Sequence, residues 1–318
     1  FLLLAYGDAR ERAALIAAVA RARRMPPWLP GPSDYPFTDE RRLSEREIAI
    51  LERWAEQGAA LGGAQAVPEA PAWRGGWTLG EPDLVLEMPV PYTVPSSGRD
   101  IFRNFVLPVP LAETRYVRAV ELLPGDARVV HHAVMAVDPT PLSREEDARD
   151  PEPGFDGMFG RQAARPPSGF FIGWTPGRVA RPNPEGLAWA LEPGMDLVMQ
   201  MHLRPHGHQV PVRPRVGLYL ASGPPARTPL LLRLGGQTID IPPGAATYVV
   251  SDSMELPVDV EVLGLYPHAH YLARVMDVRA RLPNRAVRQL LRIEDWDFNW
   301  QDAYTFQRPV RLPAGTTL

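Results

Sequence analysis

The spacing of apolar and polar positions changes character once along the chain. Up to Gly58 it repeats at helical intervals. Asp8 followed by Glu11 suits a capped helix start, and Ala13, Ala14, Leu15, Ile16 and Val19 carry the pattern to about Arg23, where Pro26-Pro27 stops it. A loop rich in Pro, Gly and Asp runs from Trp28 to Glu40. Ser44 with Glu47 then makes a capping box, and Ile48, Leu51, Trp54 and Ala55 form the apolar stripe of a second helix ending at Gly58. Gly62 to Gly76 reads as a linker.

From about Trp77 the texture becomes that of strands. The segments 116–122, 129–137, 196–203, 216–220 and 260–265 are rich in β-branched and apolar residues. Pro124-Gly125, Pro193-Gly194 and Pro243-Gly244 mark turns among them. Short strands without alternating helices predict a mainly β protein of packed sandwiches rather than a parallel sheet. Ser143 to Arg181 reads as a long loop, and a second β domain as starting near Pro224-Pro225.

Composition narrows the function. The 37 prolines argue against long helices. A net charge of −3 with no basic run leaves no footprint for nucleic acid, and no apolar stretch is long enough to span a bilayer. Cysteine is absent, which excludes disulfides, zinc–thiolate sites and a cysteine nucleophile. The chain begins at Phe1, and Phe1-Leu2-Leu3-Leu4 lacks the length and basic flank of a signal peptide, so the start reads as a truncation.

The seven histidines carry the chemistry. His268 and His270, if on a strand, project from one face and can converge on one metal ion; two packed histidines would have the same spacing. His131 and His132 are adjacent, so joint ligation needs a bulge, a strand end or a twist. His202, alone on an apolar strand, reads by itself first as a satisfied core histidine. Taken together, histidine clusters on separate strands suit an all-imidazole or imidazole–thioether site, for which copper, zinc, iron and nickel all qualify. His206 and His208 fall in a turn and read as surface residues.

Val129-Val130-His131-His132-Ala133, Met199-Gln200-Met201-His202 and Tyr266-Pro267-His268-Ala269-His270, in that order, resemble the copper type II, ascorbate-dependent monooxygenases, the family of peptidylglycine α-hydroxylating monooxygenase and dopamine β-monooxygenase. The resemblance spans about Trp77 to Leu318. It implies two jelly-roll-like β-sandwich domains and two copper ions. One ion, the electron store, would be held by His131, His132 and His202. The other, where O2 reacts, would be held by the catalytic pair His268 and His270 with a methionine. That methionine is expected beyond Leu318, because Met276 lies too close to the pair.

A second resemblance lies at the front. Arg24-Met25-Pro26-Pro27-Trp28 and the helix after Leu43 resemble the C-terminal half of a small c-type cytochrome. Met25 would then be the axial haem ligand. The attachment motif is expected upstream of Phe1, and without haem the segment is expected to pack poorly.

These resemblances imply a partial cytochrome-like helical domain over 1–66, a first copper domain over 67–223 and a second, truncated one over 224–318. They imply hydroxylation of a C–H bond in a small organic substrate with O2, electrons coming from ascorbate or an attached cytochrome. They also imply a periplasmic or otherwise extracytoplasmic place, and activity that falls as acid protonates the imidazoles.

Gln200 matches a glutamine of the peptide-hydroxylating member and reads either as part of the path between coppers or as an ordinary strand residue. Tyr266 stands where that member has a carboxylate-binding arginine, so C-terminal glycine peptides are not expected as substrate. Trp296, Phe298 and Trp300 read as core packing before cleft lining. The rival functions are a non-catalytic copper-binding or electron-transfer protein and a zinc hydrolase. The latter lacks an acidic residue within a few positions of the histidines, apart from Glu261 and Asp277.

Overall fold

Three helices open the chain: α1 (Tyr6–Glu11), α2 (Ala13–Arg21) and α3 (Glu45–Glu56). The computed structural model describes residues 3, 5–63, 76–157, 164–176, 178–236 and 238–318; most of the predicted Gly62–Gly76 linker and most of Phe1–Leu4 lie outside them. α1 starts before the expected Asp8 cap. Ala5 is extended, and Asp8, inside the first turn, accepts a hydrogen bond from the Ala5 N–H at 3.0 Å. A carboxylate there satisfies an orphan donor and the helix dipole as a cap would. The single predicted helix is broken at Arg12.

The Ser44–Glu47 box forms as predicted, with Ser44 Oγ accepting from Glu47 N–H at 3.2 Å and Glu47 Oε2 accepting from Ser44 N–H at 2.7 Å. Gly58 follows with φ +79°, a left-handed stop that favours glycine. The helices pack α2 on α3 and bury only Ala13, Ala20 and Ile48 among the described residues.

By contact density the chain divides into Ala72–Arg233 and a unit made of Phe1–Pro71 with Leu234–Leu318. In the first of these, β1 (Leu84–Glu87), β2 (Tyr92–Val94), β3 (Ile101–Pro108), β4 (Arg115–Leu123) and β5 (Val130–Asp138) precede α4 (Leu142–Arg149). After it come β6 (Phe155–Asp156), β7 (Ile172–Trp174), β8 (Trp189–Leu191), β9 (Asp196–Leu203), β10 (Val210–Val212) and β11 (Arg215–Ala221). The ladders are antiparallel. One sheet runs β6-β3-β9-β5-β7, another β1-β11-β4-β8, and β10 pairs with β2. Four predicted strands return as β4, β5, β9 and β11.

Both larger sheets feed one core: Leu86, Val117, Val216, Leu218 and Trp189 from one, Phe105, Leu107, Met135, Met199 and Met201 from the other. Burial of each such side chain contributes about 1.5–3 kcal/mol.

The stretch from Ser143, read as a loop, holds α4, β6 and β7. Apolar periodicity is missing there because polar anchors fix it. Buried Asp138 accepts from Ser143 N–H at 3.0 Å and Oγ–H at 2.5 Å, setting the helix start. Buried Arg103 donates to Asp150, Asp156 and the carbonyls of Glu152, Pro153 and Gly154.

In the other unit β12 (Val260–Leu265) pairs with β15 (Tyr304–Leu312), and β13 (Met276–Arg281) with β14 (Val287–Ile293). Leu290, Leu291, Ile293, Trp296, Tyr304 and Phe306 form its core; Trp296 and Phe298 are buried as expected, but Trp300, expected beside them, is exposed. The predicted loop after α2 joins that core. Phe37 stacks on Phe306 at 4.9 Å, Trp28 meets Tyr304 edge-on at 5.3 Å, and Gly31 N–H donates to Arg292 O at 2.6 Å. Aromatic pairs of this kind add about 0.5–1.5 kcal/mol each. The helical segment was expected to pack poorly; its helices do bury little, but Trp28, Leu29, Tyr35 and Phe37 of the loop after them pack against the strands. Among the described residues no helix is long and apolar enough to cross a membrane.

Candidate metal centre

Every residue of β9 is buried, yet its two faces differ. Leu197, Met199, Met201 and Leu203 point into the core shared by the two sheets. Val198, Gln200 and His202 alternate with them and so occupy the opposite face. His202 is therefore not a core histidine among methionines; it stands on the outer side of the five-stranded sheet at 2 % exposure. Across the ladders it faces Phe102 of β3 and His132 of β5.

The adjacent pair reaches the same side through a bulge. Val130 pairs with Leu203 and His132 with His202, so His131 is an extra residue in β5. Two residues then oppose one, and His131 and His132 both come round to the His202 side. Their Nδ1 atoms are 3.1 Å apart, and one ring nitrogen from each of the three histidines lies within 4.8 Å of the others. The rings meet edge to face, with centroids 4.6 Å apart for His131–His202 and 4.8 Å for His132–His202. Imidazole nitrogens about 2.0–2.1 Å from one tetrahedral ion are about 3.3 Å apart. The adjacent pair already meets that spacing, and a nitrogen of the third ring lies within 4.8 Å of both.

Two neighbours missed by the sequence reading hold His202. Asp100, just before β3, accepts from its Nε2–H at 2.7 Å, and Phe102 stacks on its ring at 4.2 Å and 17°. Acidic residues were weighed only within a few positions of the histidines, and Asp100 lies outside that window. Asp100 is far from His202 in sequence, and only the β3–β9 register brings them together. Burial pushes the His202 pKa down, while Asp100 pulls the other way. The other ring nitrogen, Nδ1, is buried and has no hydrogen-bond partner among the described residues. A buried bare acceptor beside two further imidazoles fits a bound cation.

His268 and His270 lie together, but not on a strand. β12 ends at Leu265, and Pro267, which has no N–H to give a ladder, lies between it and the pair. The rings are exposed, 5.2 Å apart and perpendicular. His268 Nδ1–H donates to Oε1 of buried Gln301 at 2.7 Å, leaving Nε2 outward. His270 packs at 5.5 Å on Phe298, which also meets Tyr271 at 4.6 Å. Among the described residues the His131/His132/His202 trio is the one group of three possible ligands.

Met25 is exposed at the rim of an open cavity of about 380 Å³ lined by Ala20, Trp28, Leu29, Leu43 and Ile48. The cavity offers a thioether, but no cysteine exists in the chain to attach haem. Gln200 donates to Asn104 Oδ1 at 3.2 Å and to the Gly157 carbonyl at 3.1 Å. His206 and His208 are exposed. Met276 packs against the core beside β14. Asp277 is taken by Arg279 and Arg292, and Glu261 by Arg311. Tyr266 lies parallel to His268, with ring centroids 6.4 Å apart. No protein-family model matches the chain, and no curated protein sequence matches it.

Proposed function

We propose that this chain is a copper-binding redox protein serving O2-dependent hydroxylation of a C–H bond in a small organic molecule. The observation that carries the reading is the convergence of His131, His132 and His202 on one sheet face, with the His202 Nδ1 buried and bare. Five histidines in the order of the copper type II monooxygenases support the same reading. Two sheets feeding one core support sandwich lobes of the jelly-roll kind. Copper held by the trio and by His268 with His270 would supply one-electron transfer and O2 activation.

The chain's own groups do the rest. Asp100 and Phe102 hold the His202 ring, and Gln301 turns His268 Nε2 outward. Phe298 and Tyr271 give His270 an apolar flank suited to an uncharged substrate. Tyr266 brings no cation to hold a carboxylate. Electrons would come from ascorbate or an attached cytochrome, to which Met25 would give its thioether. An extracytoplasmic place follows from the same resemblance.

One observation favours a second reading. The His268/His270 pair has no third ligand of the His, Cys, Asp or Glu type among the described residues. A copper-carrying or electron-transfer protein that uses the trio alone would look the same there.

Copper titration of the full chain followed by electron paramagnetic resonance separates the possibilities. The hydroxylase reading predicts two distinguishable copper signals per chain, one lost in His131→Ala and the other in His268→Ala. A single signal lost only in His131→Ala favours the carrier. Tight uptake of one zinc ion without copper overturns both.

A further inference from the structure

We propose that Asp100 is the positioning residue of the three-histidine centre: by accepting the Nε2 proton of His202, it commits the Nδ1 lone pair of that ring to a cation shared with His131 and His132. The inference rests on the metal-binding reading above and adds a residue that the histidine pattern does not contain.

The geometry is specific. Asp100 Oδ2 lies 2.7 Å from His202 Nε2, in line with a hydrogen bond to an ionised carboxylate. A neutral imidazole carries one proton, so holding it at Nε2 leaves Nδ1 as the acceptor. That Nδ1 is buried and without a partner, on a ring that is 2 % exposed. The opposite tautomer would aim an N–H into the space where a cation would sit and would set the Nε2 lone pair against a carboxylate.

Neighbouring groups limit the ring's freedom. Phe102 lies against it at 4.2 Å and 17°, which fixes the plane in which Nδ1 points. Arg204 Nε is 3.8 Å from Asp100 Oδ1 and holds the carboxylate from its other oxygen. The register explains the meeting. Ile101 pairs with Leu203 and Phe102 with His202, so Asp100 falls one step beyond, beside Arg204. A carboxylate behind a metal-binding imidazole fixes its tautomer and raises its basicity, and loss of such a partner typically weakens metal affinity by about 10–100-fold.

The test uses the metal-free full chain first. Nitrogen-15 spectra correlating the ring nitrogens with the ring protons report the tautomer of His202 directly. The parent is expected to show the Nε2–H form. Asp100→Asn keeps an oxygen that can accept and is expected to retain that form. Asp100→Leu removes the acceptor and is expected to mix the two.

Copper(I) affinity is then measured by competition with a chromophoric chelator. Asp100→Leu is expected to lose about 10–100-fold relative to the parent, with Asp100→Asn between them. The Asp100 side chain is 38 % exposed, so both variants are expected to fold, and thermal unfolding verifies it. An Nδ1–H tautomer in the parent, or unchanged copper affinity in folded Asp100→Leu, overturns the proposal while the metal reading survives. Failure of the parent to take up copper overturns the metal reading and the proposal with it.

Discussion

A buried imidazole with one nitrogen bound and the other bare is an unfavourable arrangement, because an unsatisfied buried polar group costs about 1–3 kcal/mol. His202 is in that state, and two more imidazoles lie beside it. Just ahead of the paired histidines, Asp126 and Arg128 show the opposite arrangement, a charge met by its partner. Asp126 accepts from the Arg128 backbone N–H at 2.9 Å and from its guanidinium at 2.6 Å, in the turn that delivers the chain into β5. Arg128 holds the Asp126 carboxyl down at about 2. A carboxylate depressed on folding stabilises the native state above its unfolded value of about 3.9 and loses that contribution as the pH falls toward its folded value. Asp126→Asn is therefore expected to cost about 0.5–1 kcal/mol at pH 7, because the partner is largely solvent-exposed. The difference should narrow below about pH 4. Urea unfolding of parent and variant from pH 7 to pH 3 checks this; a gap independent of pH contradicts it.

At the scale of elements, the bulge in β5 is the device that brings two neighbouring histidines to the face that carries His202. The need for some such irregularity was legible in the adjacency of His131 and His132, but its kind was not. Deleting His131 should restore an unbroken pairing of Val130 with Leu203 and His132 with His202. We expect that variant to fold with stability within about 1 kcal/mol of the parent, since a bulge adds no ladder hydrogen bond, and to lose the copper signal of the trio. A variant that fails to fold would show that the bulge is structural. The strands legible in the sequence were those whose β-branched and apolar residues run together, such as β9 and β12. β3 escaped notice because buried Arg103 and Asn104 interrupt its apolar run, and it is the strand that brings Phe102 and Asp100 to His202. β13 and β14 escaped because charged and polar residues, among them Asp277, Arg279, Arg281, Arg288, Gln289 and Arg292, break up their apolar runs. The His268/His270 pair was placed on a strand by its spacing, whereas Pro267 marks the end of pairing.

For the molecule as a whole, the mainly β character was readable from turn spacing and the scarcity of helical periodicity. The sharing of one core by residues 28–38 and the strands β12 to β15 was not, because nothing local links Phe37 to Phe306. The candidate centre was half legible: its histidines could be named from their order, but Asp100 stands 102 positions from the ring it touches. What turns these histidines into a proposed function is a single cation site between three rings. Its most direct test is anomalous diffraction from copper-loaded crystals of the full chain, recorded on either side of the copper absorption edge. The expected result is a peak within bonding distance of one nitrogen from each of His131, His132 and His202. A map with no peak there, and copper only at exposed histidines such as His206 and His208, would contradict it.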